Sequence, residues 1–328
     1  MYTDIPLFAA LALVIGGLVA LAWSSDFFVD AAARLAKLFC ISPFVIGMVI
    51  IGFGTSAPEL CVSALSGISG HSNLSLGNAY GSCIFNIMGI LGVAALIKPI
   101  LVKPRIALLD APALTAISLS MYIFLADGQL SRLDSLSLLV IFAILMPCYC
   151  LLDKNNVSCE YSADETRKSG DALKLVFKIL LGLAVLIGSS HCLVWGAVDL
   201  ARSLGVDELL IGLTVVAIGT SLPELASAIA SARRGESEFV LGNIIGSNIF
   251  NTLAVVGIAG TFSPIQSFSK YILTRDLPIM VASTFLIAIF SVNWKNRKAP
   301  GVINRFEGVL WVAAFVIYTI CMIYQEVN

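Results

Sequence analysis

The chain has 328 residues, of which 58% are hydrophobic and only 12% are charged, and its formal net charge at pH 7 is −1. A soluble domain usually carries about 25% charged residues, so the composition excludes an ordinary soluble protein, and the near-neutral charge gives no indication of nucleic-acid binding. The apolar residues occur in long blocks, which is typical of an all-α polytopic membrane protein.

In chain order, the apolar blocks predict ten transmembrane helices. These cover residues 5–33, 43–68, 76–97, 110–126, 133–152, 172–202, 206–232, 240–262, 272–293 and 308–325. The first and sixth exceed the roughly 20 residues that a span needs, so we expect them to tilt or to extend beyond the bilayer. Asp110 and Asp276 each lie two residues before a proline, which predicts helix N-caps at these positions. No basic segment precedes the first helix, so we do not expect a cleaved signal peptide.

Two sequence blocks occur twice, at an offset of 165 positions. Residues 54–60 read GTSAPEL and residues 219–225 read GTSLPEL, with six of seven positions identical. Residues 77–86 (GNAYGSCIFN) and 242–251 (GNIIGSNIFN) repeat at the same offset. Five helices per repeat is an odd number, so the second copy begins on the opposite face of the membrane. The sequence therefore predicts two inverted five-helix repeats, a common architecture of secondary transporters.

A polar segment separates the two halves and, with the loop charges, predicts the topology. We assign residues 1–152 to the first repeat, 153–171 to a hydrophilic linker and 172–328 to the second repeat. With the N-terminus outside, 16 of the 20 lysine and arginine residues fall in inner loops and 4 in outer loops. Because positive charge favours the cytoplasmic side, we expect a cell (inner) membrane protein with both termini outside and the linker cytoplasmic.

Each GTS-x-PEL block places a glutamate beside a proline inside an apolar helix. Pro58 and Pro223 each remove a helical hydrogen bond, so we expect a kink or break that frees backbone carbonyls to line a cavity. A charge at the centre of a membrane helix costs about 2.5–3.5 kcal/mol, and neither block contains a lysine or arginine to neutralise Glu59 or Glu224. A bound cation would neutralise both. Oxygen ligands suit calcium or sodium, and the lack of histidine or cysteine in the cluster argues against zinc or copper.

The GN-x-x-GS blocks predict the other wall of the site. Ser82 and Asn86 are four residues apart and share a helix face, as do Ser247 and Asn251. Their paired glycines offer small surfaces for close helix contact, and the polar residues alternatively serve only to join helices. Elsewhere, we expect the acidic residues near the ends of the long helices to reach water; these are Asp26, Asp30 and Asp199.

The paired blocks are similar to the two alpha repeats of the calcium/cation antiporter superfamily, and within it the chain most resembles the bacterial and archaeal sodium/calcium exchangers. The resemblance covers nearly the whole chain. It implies calcium and sodium as transported ions. We also expect no cofactor and function as a monomer in the lipid bilayer. It also implies four ion sites between the second, third, seventh and eighth helices, with the first and sixth helices sliding past this core.

The resemblance assigns ligands by position in the motifs. Calcium would be bound by Glu59, Glu224, Thr55 and Thr220. Sodium would be bound by the same glutamates with Ser56, Ser221, Ser82 and Ser247 and the carbonyls of Gly52 and Ala217, and the central site would be bordered by Asn86 and Asn251.

Two positions depart from the family pattern, and two alternative functions stay open. Some relatives have aspartate at the position of Asn251, which makes potassium dependence less expected here, and many have asparagine at the position of Cys83. Two neighbouring carboxylates also suit proton/calcium exchange, because one of them is readily protonated. A cation channel is the other alternative. We find no nucleophile–base set or phosphate loop that would indicate an enzyme.

Overall fold

The computed structural model is almost entirely helical, and it describes residues 7–39, 41–68, 72–154, 169–203 and 217–327. The helices are α1 Leu7–Phe39, α2 Pro43–Thr55, α3 Ala57–Ile68, α4 from Ser72 to Ile97, α5 Ile106–Phe124, α6 Arg132–Lys154, α7 Ser169–Ser203, α8 Ala217–Thr220, α9 Leu222–Arg234, α10 Ser237–Phe262, α11 Ile272–Ser291 and α12 Arg305–Val327. Two short strands, β1 Ile100–Val102 and β2 Gly301–Ile303, pair antiparallel.

Within these ranges, eight helices are long and apolar enough to cross a membrane, and α2 with α3, bent by 43°, make a ninth. The chain is therefore a multi-pass integral membrane protein. The predicted seventh span, 206–232, is described only from Ala217, and most of the predicted linker also lies outside the described residues.

Several predicted helix ends differ from the structure by a few residues, and two of them have a clear physical reason. The first helix continues to Phe39 rather than ending at 33, because alanine favours helix and Asp30 forms an i,i+4 ion pair with Arg34 at 2.8 Å. The fourth helix begins before Asp110, since residues 106–110 already form a π-helical turn. Asp110 and Asp276 both have helical backbone angles and make no side-chain capping bond, so the predicted N-caps are wrong.

Wider π-helical turns recur at related positions of the two halves. One pair is Phe85–Leu91 in α4 and Phe250–Val255 in α10, and another is Ile106–Asp110 in α5 and Ile272–Asp276 in α11. A further turn, Gly47–Gly52, lies in α2. Such turns break the regular hydrogen-bond pattern and are frequent at functional sites. Here the first pair begins one residue before each asparagine of the predicted central site.

The loops gather at two opposite ends of the helical body. At the first end, β1 pairs with β2, and Lys103 lies 2.8 Å from Glu238. At the second end, Leu130 forms a bridge with Ile265. The loops that the charge pattern assigned to the same membrane face are thus in contact with each other.

Burial within the protein distinguishes a central layer from a lipid-facing one. The spanning segment of α10 is 100% buried and that of α4 is 72% buried, whereas those of α6 and α12 are each 17% buried. The helices with the repeated GN-x-x-GS blocks therefore form the centre, and the exposed hydrophobic side chains of the outer helices suit a lipid environment.

Glycines allow the central helices to approach closely. A Cβ on Gly246 of α10 would lie 2.5 Å from the carbonyl oxygen of Met48, and one on Gly47 would lie 2.9 Å from the carbonyl oxygen of Phe239. The predicted close contact is confirmed for the second copy. A Cβ on Gly77 or Gly81 would meet no heavy atom of a neighbouring described residue within 4 Å, so the first copy shows no such close contact at these glycines.

The two longest helices, α1 and α7, pack side by side in opposite directions. A Cβ on Gly17 would lie 2.9 Å from the Leu193 Cβ, one on Gly182 would lie 3.1 Å from the Phe28 Cβ, and Gly196 is equally close to α1. Residues early in α1 therefore contact residues late in α7. Smooth glycine surfaces of this kind permit close contact without interlocking side chains.

Candidate ion-binding site

The helix that carries each glutamate is interrupted three residues before it. Ser56 lies between α2 and α3 with φ −82° and ψ 7°, and Ser221 lies between α8 and α9 with φ −94° and ψ 12°. Pro58 and Pro223 occupy the first turns of α3 and α9, where a backbone N–H would have no acceptor within the new helix. The predicted interruption is confirmed in both copies.

Because of these breaks, both glutamates lie in the first turn of a new helix. Glu59 belongs to α3 and Glu224 to α9, and they are 0% and 2% exposed. The unpaired N–H groups of a helix N-terminus favour negative charge nearby. Each buried carboxylate therefore gains partial electrostatic compensation from its own backbone, and among the described residues no lysine or arginine forms an ion pair with either.

The two copies exchange hydrogen bonds at the carboxylates. Ser221 Oγ donates to Glu59 Oε1 at 2.7 Å, and Ser56 Oγ donates to Glu224 Oε1 at 2.8 Å. Each glutamate is thus held by the serine that precedes the other glutamate. This reciprocal pairing brings the two sequence blocks into one site.

The predicted serines of α4 and α10 lie at the same site. Ser82 Oγ donates to Glu59 Oε1 at 3.5 Å and lies 3.1 Å from Ser221 Oγ. Ser247 Oγ donates to the carbonyl oxygen of Gly52 at 3.3 Å. Ser82 therefore contacts one of the carboxylates directly, whereas Ser247 contacts the Gly52 carbonyl, which is itself a predicted sodium ligand.

For the two predicted threonine ligands and Ala217, the structure shows fewer contacts with the site. Thr55 is buried, and its hydroxyl donates to the carbonyl oxygen of Ile51 at 2.9 Å. Thr220 is the last residue of α8, and Ala217 is the first. The side chain of Ala217 lies outside the described part of the chain.

A group of amides lies where the two central helices meet. Asn86 Nδ2 donates to Asn248 Oδ1 at 3.1 Å, and Asn248 Nδ2 donates to the carbonyl oxygen of Cys83 at 3.4 Å. The position where this chain departs from the family pattern, Cys83, is thus paired with its counterpart in the other repeat. Asn251 is fully buried, and neither of its amide atoms has a hydrogen-bond partner among the described residues.

Several buried oxygen atoms of the site are left without partners in the described ranges. They are Glu59 Oε2, Glu224 Oε2, Asn86 Oδ1 and Asn251 Oδ1. A buried polar atom without a hydrogen bond costs about 1–3 kcal/mol, and a charged one costs more. A cation that prefers oxygen ligands would satisfy such atoms. Among the described residues there is no cluster of three or more His, Cys, Asp or Glu side chains of the kind that holds a transition metal. The donor set fits hard cations such as calcium and sodium.

Sequence reasoning assigned no role to some residues that the structure places beside the site. Ser190 of α7 donates its hydroxyl to the carbonyl oxygen of Gly219 at 3.0 Å, which is the carbonyl that Pro223 leaves without its helical donor. Asn78 and Asn243 bond to the backbone of the two glutamates. The signal for the asparagines was available, since they recur at the same offset as the glutamates.

The expectation for the acidic residues near helix ends is confirmed in part. Asp26 and Asp30 are accessible at the first end, where both contact Arg234. Asp199 is only 6% exposed, so the expectation that it reaches water is wrong.

Comparison with known proteins gives a consistent result. Residues 9–147 and 174–324 match the family described as sodium/calcium exchanger protein. A putative antiporter, CaxA, from Alkalimonas amylolytica is 40% identical over 310 residues, covering 93% of this chain and 96% of that protein. The inner membrane protein YrbG of Escherichia coli is 36% identical over 324 residues, covering 96% and 97%.

Two further comparisons concern exchangers by name. The sodium/calcium exchanger MaX1 of Methanosarcina acetivorans is 30% identical over 346 residues, covering 94% of this chain and 97% of that protein. The solved structure of the sodium-calcium exchanger NCX_Mj, soaked with 10 mM Na+ and zero Ca2+, matches with a TM-score of 0.82 and 29% identity, covering 95% of this chain and 98% of that chain. The chain therefore belongs to the sodium/calcium exchanger family, whose members are membrane ion antiporters rather than enzymes.

Proposed function

We propose that this protein is a secondary active antiporter that exchanges calcium for sodium across the cell (inner) membrane by alternating access. The observation that carries the proposal is the reciprocal bonding of Glu59 with Ser221 and of Glu224 with Ser56. It joins two buried carboxylates in one site, and one oxygen of each has no partner among the residues that the structure describes. The names of MaX1 and NCX_Mj support sodium and calcium as the exchanged ions.

The proposed architecture is ten spans in two inverted repeats, residues 1–152 and 172–328, joined by a cytoplasmic linker at 153–171. The related π-helical turns and the matched helix breaks support the duplication, and the antiparallel packing of α1 and α7 supports the inversion. The first end of the body holds Lys103 and Arg234, so we assign it to the cytoplasm and both termini to the outside. We further propose that one copy of the chain suffices for transport.

The proposed ion sites follow from the donor groups. Calcium takes both carboxylates and the hydroxyls of Thr55 and Thr220, because a divalent ion gains most from two negative charges. Sodium ions use the same carboxylates with hydroxyls and carbonyls, namely Ser56, Ser221, Ser82, Ser247, Gly52 and Ala217. Asn86 and Asn251 border a central position without contributing a charge.

Competition for shared oxygens couples the two fluxes. Calcium and sodium cannot occupy the same carboxylate oxygens together, so binding of one displaces the other. An empty site would carry two buried charges through the membrane, and the free energy of that step is high. The loaded forms therefore cross, and α1 with α7 would move along the central helices to expose the site alternately to each side.

The test is calcium uptake into sodium-loaded proteoliposomes. We expect rapid uptake by the unaltered protein and no uptake above empty liposomes for Glu59→Gln and Glu224→Gln. Glu238→Gln is the matched control, because this carboxylate lies at the first end beside Lys103, away from the site. Sodium-driven uptake that persists in both site variants would contradict the proposal.

Proton/calcium exchange is the second candidate, since Oε2 of each glutamate is free to carry a proton among the described residues. It predicts calcium uptake driven by an outward proton gradient in sodium-free liposomes. Uptake under that condition, with no stimulation by sodium, would replace sodium by the proton as the counter-ion.

A further inference from the structure

Each glutamate of the site is tied through its backbone to an asparagine of a central helix. Asn78 Nδ2 donates to the carbonyl oxygen of Glu59 at 3.2 Å, and Asn243 Nδ2 donates to the carbonyl oxygen of Glu224 at 3.3 Å. Because a carbonyl oxygen can only accept, the amide nitrogen must face the glutamate in both cases. The same bond thus occurs in both repeats, at residues separated by the same 165 positions.

Each amide makes a second bond that fixes its direction. Asn78 Nδ2 also donates to Ser63 Oγ at 3.1 Å, and Asn243 Nδ2 also donates to Ser227 Oγ at 3.1 Å. With both hydrogens of the amide group engaged, the side chain cannot rotate without losing a bond. We call the bond from each asparagine to the glutamate backbone a tether. It is held in one orientation, and it occurs in both repeats.

The tether connects two sets of proposed ligands. Asn78 lies one helical turn before Ser82, and Asn243 lies one turn before Ser247, so each shares a helix face with a hydroxyl of the site. A bond from this turn to the glutamate backbone sets the distance between the carboxylate and that hydroxyl. Ion coordination tolerates displacements of only about 0.5 Å, so groups that hold the ligands affect affinity directly.

Asn243 also lies close to the other half of the molecule. Its Oδ1 is 3.4 Å from Thr55 Oγ1, although the single hydroxyl hydrogen of Thr55 has a shorter bond to the carbonyl oxygen of Ile51. Asn243 is 1% exposed. It therefore touches a proposed calcium ligand of the first repeat while it holds the glutamate of the second.

The bonds from the asparagines to the glutamate backbone are not needed merely to join α3 to α4. One turn away, Ser75 Oγ donates to the carbonyl oxygen of Ser63 at 3.3 Å, and Ser63 Oγ donates to that of Ser75 at 3.5 Å. These bonds already join α3 to α4 without involving Glu59. They also supply a control for the effect of losing an interhelical hydrogen bond.

Building on the proposed function, we propose that Asn78 and Asn243 are positioning residues that set the geometry of the ion-binding carboxylates. They need not touch the ion. Removing either tether should weaken ion binding although every ligand side chain is still present, because the ligands are then held less well in the binding geometry.

The experiment measures calcium affinity by titration calorimetry in detergent, together with the Michaelis constant and maximal rate of uptake in proteoliposomes. Asn78→Leu and Asn243→Leu keep the approximate side-chain size and remove the donor. We expect roughly 10- to 100-fold weaker calcium binding for each, by analogy with the loss of groups that orient metal ligands. We expect Ser75→Ala to lower the melting temperature without changing the dissociation constant.

The outcomes separate positioning from attachment. If a leucine variant is not recovered folded, Asn78→Ala and Asn243→Ala provide the same test, since alanine also removes the donor to the glutamate carbonyl and adds no charge. Calcium affinity within about twofold of the unaltered protein in the asparagine variants would overturn the positioning role alone. Absence of calcium binding by the unaltered protein would overturn the proposed function and this inference with it.

Discussion

Replacing Glu59 by glutamine should stabilise the ion-free protein while it abolishes ion binding. In the structure, Glu59 is 0% exposed, Oε1 accepts from Ser221, and Oε2 has no partner within the described residues. A buried charge in a membrane helix costs about 2.5–3.5 kcal/mol. Glutamine keeps the shape and the bond from Ser221 but removes the charge, so we expect a gain of about 2–3 kcal/mol.

The assay is thermal unfolding in detergent, with and without calcium. At about 2–4 °C per kcal/mol, ion-free Glu59→Gln should melt roughly 5 °C or more above the ion-free unaltered protein. Calcium at about 100 times its dissociation constant should stabilise the unaltered protein by about 2.7 kcal/mol and the variant not at all. A variant less stable than the ion-free unaltered protein, and still stabilised by calcium, would refute the reasoning.

Two neighbouring glycines test the packing of α1 on α7. Gly17→Ala would bring a Cβ to 2.9 Å from the Leu193 Cβ, so we expect a loss of about 1–3 kcal/mol in unfolding experiments. Gly16→Ala meets no heavy atom of the described residues within 4 Å and should be neutral or slightly stabilising; equal losses in both variants would contradict this packing. Arg234→Gln removes the ion pair with Asp30 at 3.1 Å and should cost at most about 1 kcal/mol, because both groups are partly exposed. It should nevertheless raise amide hydrogen exchange over residues 28–36 of α1 by up to about fivefold. Unchanged exchange would show that the ion pair does not stabilise this part of α1.

The sequence was sufficient to predict most helices, because membrane spans depend on long apolar blocks. It failed at the start of α5, where Asp110 and the following proline resemble a helix N-cap. The apolar residues before Asp110 continue the helix through a π-helical turn, and such turns have no clear signature in a single sequence. The end of α1 was also missed, since it depends on an ion pair outside the apolar block.

The candidate site was more predictable than its details. Two copies of an acidic residue beside a proline identify Glu59 and Glu224 without any structure, because unpaired buried charge is rarely tolerated otherwise. The hydrogen bonds from Ser56 and Ser221 to the glutamate of the opposite repeat depend on how the two halves face each other. The periodicity of the sequence does not encode that orientation. Asn248 was treated only as the counterpart of a cysteine, although it bonds to Asn86 of the central position.

The central claim is that sodium and calcium compete for one site built on Glu59 and Glu224. The most direct measurement is the apparent calcium dissociation constant of the purified protein at a series of sodium concentrations, with potassium replacing sodium to hold ionic strength constant. We expect the apparent constant to rise steadily with sodium while the number of calcium ions bound at saturation stays the same. A calcium affinity that does not change with sodium would show that the two ions do not share this site.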